Sequence, residues 1–390
     1  MSTYWLREIS STLTASGTGI PFYMKCLALF LKKLVGYTNE IESIGGGGSF
    51  FSYDDTGANG EFNLTSIDKD FRDSTFNDFQ IGDIGKWILV IDTNKNAGIY
   101  KITARASTTT VTLDFRTGVA EYPTQTTGLT WYMFDESVGV PSTSGDYFRI
   151  RTPHSFGWEI ECQYNSTDGN TGKCIRVRVS TNADWTASGK ILGPIYYGTA
   201  NTKTNWFYSE VDSGGEWINT MVHQATDGRY MGSCVSNLIL YDTTHDNVEK
   251  IALMGCSSGA VANYGANHFI QNTTANTIGH GYGWVTRRSS QKDMYMAGIT
   301  YNGQSNSFCN FAWSVNNRNT GKWDTVSGVN VILDYDSTED LYEIIGRLKS
   351  FYLTATAVGV RTAFTDVTVK DMFHFNGGLA ITWPGFTPQH

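Results

Sequence analysis

Ile175-Arg176-Val177-Arg178-Val179 is the cleanest two-residue alternation in the chain. Successive side chains of a strand point to opposite faces, so this segment has one apolar face and one face carrying two arginines. A hairpin fits the residues before it. Cys162 to Asn165 forms one arm, Ser166-Thr167-Asp168-Gly169-Asn170-Thr171-Gly172 supplies turn formers, and the second arm starts at Cys174. Cys162 and Cys174 could then face each other, and both a disulfide and two buried free thiols remain open.

Short apolar runs separated by turn signals continue on either side. Tyr147 to Arg151, Trp158 to Tyr164, Trp206 to Val211, Trp217 to Gln224, Met231 to Tyr241, Val248 to Met254, Met294 to Tyr301 and Phe308 to Val315 all read as strands. Many strands in series predict a β-sandwich over residues 146–335. Upstream, Lys86 to Asp92, Gly98 to Ala106, Val111 to Phe115 and Leu129 to Phe134 predict a meander in a small β domain over 50–140. The Gly- and Pro-containing stretch Ser137 to Gly145 marks a boundary.

Two helices are expected, one near each end. Phe22, Cys26, Leu27, Leu29, Phe30, Leu31 and Leu34 form an apolar stripe over 22–35, with Pro21 at the start, Lys32 and Lys33 in the last turn, and Gly36 as a left-handed cap. With Gly45-Gly46-Gly47-Gly48 behind it as a joint, this helix reads as part of an N-terminal arm over 1–45, packed either as an ordinary core helix or against another chain. Leu341, Ile344, Ile345 and Leu348 predict a second helix over 338–349, capped by Asp336 or Ser337. That helix and short strands complete a C-terminal region over 336–390. The fold class is therefore mainly β, with sandwich and meander domains and one helix toward each end.

Composition agrees. Charged residues make up 17% of the 390 and aromatics 14%, with 41 Gly and 7 Pro. Soluble domains carry about 25% charged residues. The net charge of −8 and the absence of any basic block argue against nucleic acid as a partner. No apolar run reaches the roughly 20 residues of a membrane span. The start of the chain does not read as a signal peptide, since it lacks a positive segment followed by an apolar one.

Metal-binding motifs are missing. There is no His-x-x-x-His, no Cys pair at zinc spacing, and the 7 His are dispersed. Asp334, Asp336, Glu339 and Asp340 are accounted for by helix capping rather than calcium. No catalytic residue, metal or cofactor is expected. Interface candidates are Trp5, Phe22, Phe30, Leu34, Trp383 and Phe386, because large apolar groups near the chain ends need cover. A competing use of the aromatics is stacking on a sugar, for which Trp217, Tyr282 and Trp284 are the candidates, the last two within His280-Gly281-Tyr282-Gly283-Trp284.

Three stretches resemble virion structural proteins of tailed bacteriophages, of the neck, tail or baseplate-accessory kind. They are Trp5-Leu6 through Pro21-Phe22 to Gly36-Tyr37, Phe76 through Ile88 to Asn96–Ile102, and Gly346-Arg347-Leu348 to Gly377–Pro384. The resemblance implies a protein made in a bacterial host's cytoplasm and built into a particle in several symmetric copies. Its partners would be itself and other virion proteins, with host surface glycan as an alternative, and it would have no active site.

Overall fold

The structure is a computed structural model. It describes residues 3–7, 19–45, 48–64, 69–93, 96–114, 127–154, 157–168, 172–180, 185, 191–198, 206–224, 229–240, 251–258, 282–285, 295–301, 309–316, 323–327, 331–336, 341–348, 350–354, 372–376 and 379–380. The architecture is mainly β: a six-stranded barrel, several sheets and few helices.

Strand β1 (Thr3–Arg7) precedes helix α1 (Gly19–Lys33), which begins before the apolar stripe suggested and ends as expected, with Gly36 at φ +83°. Every residue from Gly19 to Leu31 is buried. A helix buried all round lies inside a core, not on a surface. α1 is thus a central post around which the sheets are hung.

The barrel is one of those surroundings. After β2 (Thr38–Ser43) come β3 (Asp55–Leu64), β4 (Lys69–Asp73), β5 (Trp87–Ile91), β6 (Gly98–Ser107), β7 (Thr110–Leu113) and β8 (Leu129–Phe134). They close in the order β3-β4-β7-β6-β5-β8. β5, β6 and β7 form the expected meander, but β8 returns beside β5, a Greek-key step, and β3 and β4 close the ring. β5 shows why its sequence is apolar without a break. Ile88 and Val90 point into the barrel, while Trp87 and Leu89 belong to the core around α1. The barrel interior is filled by Phe62, Phe71, Phe79, Tyr100, Trp131 and Met133, among others. Gly57 is required on β3, because a Cβ there would overlap Asp73 Oδ2 and Trp131 Nε1.

On its other side α1 meets a five-stranded sheet. This is built from β9 (Tyr147–Arg151), β10 (Glu159–Asp168), β11 (Gly172–Ser180) and β12 (Ile191–Gly198), with β2 at the far edge, in the order β12-β11-β10-β9-β2. Phe148, Ile150, Ile160, Cys162, Val177 and Val179 face the helix. An eight-stranded sheet contributes Leu6, Val211, Ile218 and Val235 to the same core. Its main path is β1, β13 (Trp206–Asp212), β14 (Trp217–Gln224), β15 (Arg229–Leu240), β16 (Ile251–Ser258) and β17 (Tyr282–Val285). Tyr23 of α1 reaches it through a 2.6 Å hydrogen bond to Ser209 Oγ. β18 (Tyr295–Tyr301), β19 (Cys309–Asn316) and β20 (Trp323–Ser327) form a separate sheet.

The stretch Ser137 to Gly145 is a packed connector. Asp146 accepts from the backbone N–H groups of Gly45, Ser142 and Thr143, and Gly139 lies so close to Ser49 that no Cβ would fit. The first glycine of the Gly45–Gly48 run is therefore fixed rather than free.

The second helix is a correction. Residues Leu341–Leu348 form strand β22, paired antiparallel with β21 (Val331–Asp336) from Val331–Arg347 to Asp336–Leu341. Gly346 in a helix interior would cost about 1 kcal/mol relative to Ala. Tyr342, Ile344 and Ile345 favour a strand, and a partner lies just upstream. Helix capping by Asp336 falls with it. β23 (Ser350–Thr354), β24 (Met372–Asn376) and β25 (Leu379–Ala380) form the last sheet.

Candidate functional site: an arginine ladder on the five-stranded sheet

The face of the five-stranded sheet turned away from α1 carries the alternate residues of β9, β10 and β11. Register sets them in rows: Tyr147, Gln163 and Arg176; Arg149, Glu161 and Arg178; Arg151, Glu159 and Ser180. Cross-strand neighbours on one face lie about 4.5–5.5 Å apart at Cβ, close enough for opposite charges to meet. They do. Arg149 Nε reaches Glu161 Oε2 at 2.8 Å, and Arg178 Nη2 reaches Glu161 Oε1 at 2.6 Å. Arg151 Nε lies 3.4 Å from Glu159 Oε1, and Arg176 donates to Gln163 Oε1 at 3.2 Å.

Trp185 lies over the ladder. Its Nε1 donates to Glu159 Oε2 at 2.8 Å, and the guanidinium groups of Arg149 and Arg178 sit 4.7 and 5.3 Å from its ring centre. Arg149 also stands 5.0 Å from the ring of Tyr147. The two glutamates are buried, whereas Arg149, Arg151, Arg176 and Arg178 keep part of their surface in solvent. Four arginines against two carboxylates leave local positive charge on a chain whose net charge is −8. The carboxylates fix the guanidinium planes and the indole holds two of them from above. The result is a preformed surface for hydrogen-bonding planar anionic groups.

The sequence showed Arg176 and Arg178 but not their partners. The signal was present: Tyr147–Arg151 and Glu159–Gln163 alternate with the same period, and the charges on the middle strand are opposite in sign.

The residues singled out in sequence fall elsewhere. Phe22 and Phe30 are enclosed by their own chain, and Leu34 is buried at the end of α1. Phe22 packs 4.9 Å from the Trp87 ring and 6.1 Å from that of Phe134. Enclosure of this kind stabilises the fold by about 1.5–3 kcal/mol per large side chain and leaves no surface for a partner. Trp5 is half-buried on β1, an edge strand of the eight-stranded sheet. Trp383 and Phe386 lie outside the described residues. Trp217 is only 4% exposed, so its ring cannot form a platform for a sugar. Tyr282 and Trp284 are placed on β17 by their backbone, opposite Gly255 and Leu253.

Cys162 is a free, buried thiol. It lies opposite Val177, whereas Cys174 lies opposite Asn165, so the two cysteines are not cross-strand partners. Among the described residues no group of His, Cys, Asp and Glu could hold a metal ion, and no helix is long and apolar enough to cross a membrane.

No family model, no curated protein and no solved structure matches the chain.

Proposed function

We propose that the chain is a structural component of a phage virion, in the tail, neck or baseplate, and that it acts by assembling with copies of itself and with other virion proteins. The phage context follows the sequence resemblance. The assembly role is supported by one observation above all, the arginine ladder. Arg, Trp and Tyr are the residues that dominate binding energy at protein interfaces. Here Arg149, Arg178, Trp185 and Tyr147 stand together, already ordered by Glu159 and Glu161. Ordering a long side chain on binding costs about 0.5–1.5 kcal/mol, and this surface has met that cost on folding. In this reading the five- and eight-stranded sheets are the two layers of the expected sandwich, with α1 between them and the ladder as one outer face.

The experiment is sedimentation velocity of the full chain from micromolar to near-millimolar concentration, with electron microscopy of the product. Discrete symmetric oligomers are expected. A single monomeric species over the whole range overturns the reading.

A further inference from the structure

At one end of the barrel the chain between β4 and β5 stands out as a firm knob. Ile81 is 74% exposed and Ile84 46%, on either side of exposed Gly82. Isolated exposed apolar residues are ordinary, but these two are held in a rigid frame. A short 3₁₀ turn, Ile81–Asp83, carries them. Asp83 closes the turn by accepting from Gln80 N at 2.7 Å, and the Ile84 N–H donates to the Ile81 carbonyl at 3.3 Å. Gly85 N donates to Ile102 O at 2.9 Å, tying the loop to β6. Below it Phe79 is buried in the barrel, stacked 5.4 Å from Trp131.

The knob has an acidic surround. Lys86 Nζ lies 2.8 Å from Asp54 Oδ2 and 3.0 Å from Asp83 Oδ1. Burial raises the Asp55 carboxyl above its usual range, and the charges of Asp83 and Asp78 raise it further, which marks these carboxylates as crowded neighbours. Arg105, which donates to the Phe79 carbonyl, is a second local cation. Four aspartates thus meet two cations, a negative surplus that mirrors the positive surplus of the ladder.

We infer that the acidic knob of one copy, with Ile81 and Ile84 at its tip, docks on the arginine ladder of a second copy. The contact joins two different surfaces, so it is head-to-tail: it closes into a ring, or extends as a stack, according to the rotation it imposes. Its core is the apolar tip set against Tyr147 and Trp185. Its rim pairs Asp54, Asp55 and Asp78 with the ladder arginines, which speeds encounter and fixes orientation. The edge strand β2 is a poorer route to self-association. Asn39 at φ +57° and the register shift between Thr38 and Ile41 put a bulge in it, and Glu40 and Glu42 add charge, both devices that block strand addition.

This inference rests on the assembly reading, and its test separates the two. Two full-length variants are made, Ile81→Asp in the knob and Arg176→Glu in the ladder, both at positions with solvent contact, and circular dichroism confirms that each folds. Each alone should self-associate at least about tenfold more weakly than the unaltered chain, about 1.4 kcal/mol. Mixed, they should form a 1:1 dimer that grows no further, because the intact ladder of the first accepts the intact knob of the second. If the unaltered chain assembles and the mixture gives no dimer, or either variant assembles normally, the head-to-tail contact is overturned while the assembly role stands. If the unaltered chain is monomeric throughout, both fall.

Discussion

Glu161 holds Arg178 by two nitrogens at once: Nε and Nη2 both reach Oε1, at 2.8 and 2.6 Å. Its other oxygen takes Arg149 Nε at 2.8 Å, and the residue is only 1% exposed. A carboxylate enclosed in this way is not a surface ion pair. Losing one partner costs about 3–5 kcal/mol when the charge left behind is wholly buried and about 0–1 when the pair is exposed; the guanidinium groups of Arg149 and Arg178 keep some solvent contact and fall between. Glu161→Ala is therefore expected to lower the unfolding free energy by about 1–3 kcal/mol in urea titrations followed by tryptophan fluorescence. A loss of less than about 1 kcal/mol would place the ladder among ordinary solvated charges.

Inside the barrel Asp73 does for β4 what Glu161 does for the sheet. It is buried and accepts from Trp131 Nε1 at 3.0 Å, Thr75 Oγ1 at 2.7 Å, and the backbone N–H groups of Thr75, Phe76 and Asn59. Burial pushes its carboxyl up, but the hydrogen bonds from Thr75, Trp131 and Phe76 outweigh that and leave it below the usual range. A depressed folded-state pKa stabilises the fold above the unfolded value, about 3.9, and the gain is lost as pH falls through the folded value. Stability should therefore drop as pH falls below about 4. Asp73→Asn should cost about 1–3 kcal/mol at neutral pH through mismatched buried donors, and should flatten this part of the acid slope. An unchanged slope in the variant would assign the acid sensitivity to other carboxylates.

Lys25 gives a slope of the same sign at the other end of the pH scale. It lies on the buried span of α1 and donates from Nζ to Ser52 O at 2.6 Å, Ser52 Oγ at 2.9 Å and Ser49 O at 3.0 Å. Burial lowers its pKa to about 8, against the opposing charges of Glu42 and Asp54. Between about 8 and the unfolded value near 10.4 the folded chain binds fewer protons than the unfolded one, so this group's contribution to stability rises with pH across that window. Unfolding free energies of the native chain and of Lys25→Met, measured through the window, should diverge in slope. Parallel curves would mean that the ammonium is solvated.

How much of this was legible in the sequence depended on whether a pattern had one structural solution. The run Trp87-Ile88-Leu89-Val90-Ile91 is short and apolar throughout, and it is a strand with both faces buried. Leu341 to Leu348 satisfies both helical and alternating spacing, and pairing with β21 decided it, which no local reading contains. The apolar stripe of α1 was visible, but its complete enclosure was not. That depends on three separate sheets converging on it, and on residues 49–52 supplying acceptors for Lys25 within the buried span. The ladder was half visible: alternation gave the face of each strand, and only register set Glu161 between Arg149 and Arg178.

The register of β10 and β11 makes a last prediction about sulfur. Cys162 faces the core around α1, and burial drives its thiol well above the ordinary range, with the neighbouring Glu161 charge adding to the effect. Thiol reactivity follows the thiolate, so Cys162 should resist alkylation in the folded chain, as should the buried Cys26, and both should react once denaturant opens the core. Peptide mapping of iodoacetamide-treated protein measures this directly. A non-reducing digest should show no peptide linking Cys162 to Cys174, since Cys162 stands opposite Val177 and Cys174 opposite Asn165. Bridging them would shift one strand along the other and turn Val177 and Val179 out of the core, so a linked peptide from native protein would overturn the register on which the ladder is built.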